Sequence, residues 1–461
     1  MALQGKDRQE RKNMKKVSTV ITLLMLACLA LQAKGKKKAE LWPDGTTMEA
    51  FFADTTKVNV ISKGRQYVIT DYGVSMDSAV VQTEAIQRVI DRCAEEGGGI
   101  IVIPHGTFLS GSLFFKAGTS LLVRGKLKGS DRIMDFRLTK TRMEGQTLQY
   151  FSALVNADHN DGFTIAGNGY IDGNGMAYWQ EFWLRRRYNK DCTNLEAMRP
   201  RLVYISNSRD VTVQDVHLHN SPFWTNHLYR CERARYLDCH IYAPTEGVRI
   251  PEDDKTYGAP SSDAIDLDVC HDVLISGCYM HVNDDAVVIK GGKGTWADQN
   301  PDNGPSYNIL ITDCHYGKVH GCLTVGSESL HDWNIVLQNI QVDNASRVLW
   351  LKMRPDTPQH YEKIHVKNIH GRCGSFLVVR PWTQFYAPGD RKDMPLSQCN
   401  DVRVCDIDMH CDKFFNVGTS DKYALQRFTF ERCTVVERED SFRPSLVTDC
   451  TVADVDITVE R

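Results

Sequence analysis

No CxxC pair and no Cys/His run at metal-ligand spacing occurs among the 15 cysteines. That excludes the common zinc ribbons and fingers. Charge of one sign never accumulates either. Lys and Arg number 55 against 58 Asp and Glu, a net of −3, with no basic stripe. Nucleic acid is therefore set aside as a partner. Long apolar runs are missing, with one exception. Met14-Lys15-Lys16 leads into Val17 to Leu31 and ends at Leu31-Gln32-Ala33. A basic start, a short apolar core and a small residue describe a secretory signal. The run is too short, and too closely flanked by lysines, for a transmembrane span. We expect residues 1–33 to be a signal with an upstream extension before Met14, cleaved near Ala33, and the product to be periplasmic or extracellular. Cys28, in Met25-Leu26-Ala27-Cys28, matches a lipoprotein anchor only weakly, because the apolar run continues past it. Removing residues 1–33, which carry +4, takes the net charge from −3 to −7. An anionic ligand must then be held by local cations rather than by overall attraction.

Helical periodicity is scarce. One helix is clear: Thr83 as cap, then Ile86, Val89, Ile90 and Cys93, ended by Gly97-Gly98-Gly99. We expect it to plug the open end of a repeat array, since terminal repeats need covering. Residues 176–200 are rich in aromatic and basic side chains and read as a long inserted loop, with a helix segment as the alternative.

The rest is a repeat. Apolar residues fall at a first position, two later, five later and often seven later. The first positions are Val211, Ala234, Val273, Ile309, Ile335, Ile364, Val402 and Phe428. Asp or Asn stands four after the first position in six of these eight, which suits a corner between strands. Cys239, Cys278, Cys314 and Cys433 share the position five later and read as small apolar packing residues. Disulfides remain open in an exported chain. The steps are 23, 39, 36, 26, 29, 38 and 26 residues. A basal coil near 23 with loops inserted at 176–200, 242–260, 291–306 and 374–399 explains them, and loops on one side wall a cleft. Propeller blades need longer steps, and helical repeats need helical periodicity. We expect an all-β fold, a single-stranded right-handed parallel β-helix with an N-terminal capping helix, filling one domain over 34–461.

Four runs share one register within it: Ser262 to Asp268, Asp284 to Lys290, His320 to Gly326 and Ser346 to Lys352. Stacked as coils, they crowd Asp263, Asp284 and Asp285 onto two neighbouring rungs, with His320 on the next and Lys352 on the one after. Stacked like charges repel, so this cluster costs stability and points to function. Carboxylates that cannot all ionise keep one proton, which suits glycosidic hydrolysis by an acid and a base. His320 and Lys352 could hold a substrate carboxylate or orient an aspartate. Arg347 and Arg354 are further candidates, with a solvated loop charge as the commoner alternative for each.

At these residues the chain resembles glycoside hydrolase family 28, the polygalacturonases and their relatives. The resemblance rests on Arg199-Pro200, Asn220-Ser221-Pro222-Phe223-Trp224 with His227, Asp284-Asp285 with Ile289-Lys290, and His320-Gly321 with Gly326-Ser327-Glu328. It implies an inverting hydrolase acting on galacturonic-acid-containing pectic polysaccharides or oligosaccharides. It implies Asp284 as general acid, Asp263 and Asp285 activating water, and His320, Lys352 and His227 serving the substrate. No metal or cofactor is implied, and a monomer is expected. Trp350 stands where the family has an arginine, so Arg354 or stacking on Trp350 would take over that contact. Homogalacturonan and a rhamnogalacturonan or decorated backbone stay open. Two other readings compete: Ca²⁺-dependent pectate-lyase-like elimination, and a non-catalytic glycan-binding solenoid.

Overall fold

The computed structural model describes residues 40–460 apart from 252, 385 and 388. The expected export signal lies outside the described residues. Glu40, Leu41 and Gly45–Met48 group apart from the rest, with Leu41 bridging Thr47 antiparallel. The other unit comprises Trp42–Asp44 and the chain from Glu49 onward.

That larger unit is a parallel β-helix. One column of inward residues traces it. Val213, Tyr236, Ile275, Ile311, Leu337, Val366, Val404 and Phe430 pair in parallel register from coil to coil. These are the residues two after each first position. The column extends upstream through Tyr67, Ile101, Leu121 and Ile165, and downstream to Val452. All except Val452 are buried, and all of those sit in one continuous core. Parallel strands stacked at about 4.8 Å make that core one cooperative apolar column. Cys239, Cys278, Cys314 and Cys433 are buried packing residues there, and the described cysteines form no disulfide.

The corner reading of Asp and Asn has a backbone cause. Asp215, Asp238, Asp313, Asn339, Asn368 and Asp406 all lie at φ between +51° and +58°, in the left-handed region those residues tolerate best. Gly277 and Arg432 take the same corner in the other two coils, at +69° and +50°. A second left-handed corner directly precedes each first position. It holds Asp210, Arg233, Asp272, Asn308, Asn334, Lys363, Asp401 and Arg427, at +53° to +56°. Three of these eight are Arg or Lys, so composition hid it. Forcing a Cβ without a local polar side chain into such a corner costs about 1–2 kcal/mol. Asn368→Ala should therefore lower the urea-unfolding free energy by about that much.

Helix α1 (Thr83–Glu95) turns Ile86, Val89, Ile90 and Cys93 onto the first coils of the stack, where its expected apolar face belongs. The segment 176–200 contains helix α2 (Met176–Tyr188), not only a loop. It buries Tyr178, Trp179 and Phe182 and half-buries Trp183, positions i, i+1, i+4 and i+5 on one face. Exposed Met176 and Tyr188 lie away from the centre of that face and blur the periodicity. Two other insertions differ in extent. Strand residues continue to Pro381 and resume at Ser397, so the excursion expected over 374–399 is only 382–396. Residues 242–260 carry a short hairpin, Val248–Arg249 against Thr256–Tyr257. Among the described residues no helix is long and apolar enough to cross a membrane.

Candidate active site

Five successive rungs carry the site: β1 (Asn226–Tyr229), β2 (Ile265–Asp268), β3 (Val287–Lys290), β4 (His315–Val325) and β5 (His331–Met353). Ile265 pairs with Val287, so Asp263 and Asp285, two residues earlier, are level with each other. Val287 pairs with Leu323 and Leu323 with Leu349, which sets Asp284 above His320 and Asp285 above Gly321. The rungs thus bring the three aspartates, His320, Lys352 and Trp350 to one cleft of about 280 Å³. Gly321 is required by space: a Cβ there would lie 2.7 Å from Asp285 Oδ1.

The acids differ in environment. Asp285 is covered to 1% exposure and Asp263 to 6%, whereas the Asp284 side chain keeps 30%. Lys352 Nζ donates to Asp285 Oδ2 at 2.9 Å. Burial, then the charges of Asp284 and Asp266, push the Asp263 carboxyl well above the ordinary carboxylate range. Burial also lifts Asp266, on the same rung as Asp263, to about 7 against the pull of Lys290. Asp284 moves the other way. Burial raises it, but His320, the Lys352 charge and the Asp285 N–H at 3.0 Å together hold it below the usual value. The His320 imidazole sits 3.6 Å from Asp284, and that carboxylate raises it despite burial. These surroundings favour the protonated form of Asp263 and the ionised form of Asp284.

Trp350 faces the cleft, with Arg347 3.8 Å and Lys352 4.0 Å from its ring centre and Trp382 edge-on at 5.2 Å. Its π-face organises two cations beside the acids. Lys290 closes the floor. It pairs with Glu328 at 3.0 Å and with Asp266 at 3.4 Å, and lies over Trp224.

Two expected site residues are not brought to the cleft wall. His227 is fully buried on β1, level with Asp266 on β2. Its Nδ1 meets Arg201 at 2.6 Å and its Nε2 lies 3.6 Å from Asp268, and burial drops its pKa to about 3. It is a neutral prop beneath the site, because the hairpin Leu138–Met143/Gln146–Phe151 covers that rung. Arg142 from that hairpin grips Asp268 with two bonds, 2.9 and 3.2 Å, both side chains at 0% exposure. Arg354 is likewise committed. It chelates Asp356 at 2.7 and 2.6 Å and donates to the Gln384 carbonyl, fixing the segment that carries Trp382 and Gln384 into the cleft.

Other contributors were missed. Asp266 was given no role, and Glu328, quoted for the resemblance, was given none in the site; both pair with Lys290. From α2, Phe182, Trp183 and Arg186 form part of the cleft wall, and Glu144 of the covering hairpin another part. Arg186 donates through Nε to the Cys192 carbonyl, and no carboxylate pairs with it among the described residues. Arg199, quoted for the resemblance, is buried and ties Asn194 and Pro260 into place.

A sequence profile described as "Glycosyl hydrolases family 28" matches residues 93–369. Among curated proteins, the chain is 25% identical over 235 residues to "Probable polygalacturonase" of Vitis vinifera, covering 49% of this chain and 44% of that one. It is 28% identical over 280 residues to "Probable endo-xylogalacturonan hydrolase A" of Emericella nidulans, covering 59% and 58%. The chain thus spans about half the length of these relatives. Among solved structures, a hyperthermoactive exopolygalacturonase from Thermotoga maritima superposes with a TM-score of 0.67 at 20% identity, over 86% of this chain and 92% of that one. That likeness speaks to the fold.

Proposed function

Because the chain belongs to glycosyl hydrolase family 28, we propose that its cleft hydrolyses a glycosidic bond in a galacturonic-acid-containing pectic chain, with inversion at the anomeric carbon. The observation that carries this is the meeting of Asp263, Asp284 and Asp285 from two adjacent rungs beside His320 and Lys352. Asp284 is the exposed carboxyl and is placed to protonate the leaving oxygen. Asp263 and Asp285, deeper in the floor, hold and deprotonate the attacking water. A sugar laid over Asp284 excludes water and competes for Lys352, so solvation and the Lys352 charge both favour the ionised form of Asp284 less as substrate binds, while His320 and the Asp285 N–H stay. Lys352, His320 and Arg186 are the cations available to a substrate carboxylate. The absence of an arginine at position 350 favours a substrate other than plain homogalacturonan, such as a rhamnogalacturonan or a decorated oligosaccharide. The N-terminal run supports export to the periplasm or beyond.

Digestion of defined pectic oligosaccharides, with product anomers read by NMR, tests this. Saturated products of inverted configuration support it. Unsaturated products abolished by chelator would mean a lyase, and binding without turnover a glycan-binding rod. His320 supplies a second test. It stabilises the charged form of Asp284, so removing it raises the pKa of the acid. The group active as its protonated form then persists to higher pH. The alkaline limb of kcat/KM should move upward in His320→Ala, whatever happens to the maximum.

A further inference from the structure

The corner that carries Asp284 and Asp285 is preceded by a different sheet face, which the proposed chemistry does not use. There His217-Leu218-His219 forms one rung and His240-Ile241-Tyr242 the next, in parallel register with His217 level with His240. Leu218 and Ile241 are fully buried, so the histidines on either side point outward. Two imidazoles two residues apart on one strand and a third from the neighbouring strand converge on one point. His219 Nε2 lies 2.9 Å from His240 Nδ1, and one nitrogen from each of the three rings falls within 4.8 Å of the others. His217 Nδ1 is shielded from water and has no protein partner.

The rings are held in place. Tyr170 stacks on His217 at 4.5 Å, and Tyr279 stacks on His240 at 4.8 Å. Asp172, the acid nearest His219, already accepts from the Asn174 N–H and the Asn220 amide. A neutral imidazole offers one ring nitrogen's lone pair to a metal.

We propose that His217, His219 and His240 form a binding site for one divalent first-row transition-metal ion of the zinc type, on the outer face of two adjacent coils. Three neutral nitrogens and no carboxylate suit Zn²⁺, Co²⁺, Ni²⁺ or Cu²⁺ and disfavour Ca²⁺ and Mg²⁺. Metal–nitrogen bonds of about 2.0–2.1 Å replace the hydrogen bond between His219 and His240, with water left in the fourth position. The ion would tie one rung to the next.

The test uses the full chain without a polyhistidine tag, stripped with chelator and titrated with Zn²⁺ by calorimetry. Co²⁺ serves as the spectroscopic probe. The expected result is one ion per chain with micromolar or tighter affinity, tetrahedral Co²⁺ bands, a raised Tm with Zn²⁺, and no response to Ca²⁺. His219→Ala and, separately, His217→Gln should weaken binding by about 100-fold or more. His360→Ala, at the separate group of His331, His360 and Glu362, should not. Absent binding, or binding unchanged in folded His219→Ala and His217→Gln chains, overturns the proposal. Pectic hydrolysis should be the same with and without Zn²⁺, so this site and the catalytic reading fail independently.

Discussion

Asp284→Asn should lower kcat on a cleaved pectic oligosaccharide by about 10²- to 10⁴-fold, the range for removing a positioned general acid, and leave affinity for that oligosaccharide nearly unchanged. Asn has the same shape and keeps an oxygen for the Asp285 N–H that Asp284 Oδ1 now accepts at 3.0 Å. What it loses is the proton. Single-turnover rates and calorimetric binding on the same oligosaccharide separate the two effects. A rate within tenfold of the native chain would move the acid elsewhere. Asp263 is then the next candidate, because burial and the neighbouring carboxylates already favour its protonated form.

The second large effect is on stability. Arg142→Met should destabilise the chain by about 3–5 kcal/mol, the usual consequence of leaving a buried carboxylate without its partner. Asp268 is fully buried and receives both bonds of the guanidinium fork. His227 cannot replace it, because burial keeps that imidazole neutral down to about pH 3. Asp268→Asn in the same chain should recover much of the loss by removing the stranded charge. Chemical denaturation of the two single variants and the double variant measures this directly. Equal losses that simply add would show the pair to be energetically uncoupled.

The coil repeat was legible because each coil repeats an inward apolar pattern and because Asp and Asn mark one left-handed corner. The other corner was not, since Arg233, Lys363 and Arg427 occupy it as readily as Asp210. The acids were legible as a cluster because their rungs share a register. The fates of His227 and Arg354 were not, because both depend on partners brought up by the fold. Arg201 and the 138–151 hairpin enclose His227, and Asp356 takes Arg354. Cations look alike in a sequence whether they face a ligand or an internal carboxylate. Helix α2 escaped a firm assignment because exposed apolar side chains, Met176 and Tyr188, blur its buried face.

The unequal steps between coils, from 23 to 39 residues, have a practical meaning. Every excursion leaves the stack and rejoins it at the same height, so the spacing of Asp263, Asp285 and Lys352 is indifferent to what is spliced between rungs. Specificity and chemistry are thereby modular. Transplanting the 382–396 excursion or α2 from a related rod should change which sugar is accepted and leave Asp263, Asp284 and Asp285 in register.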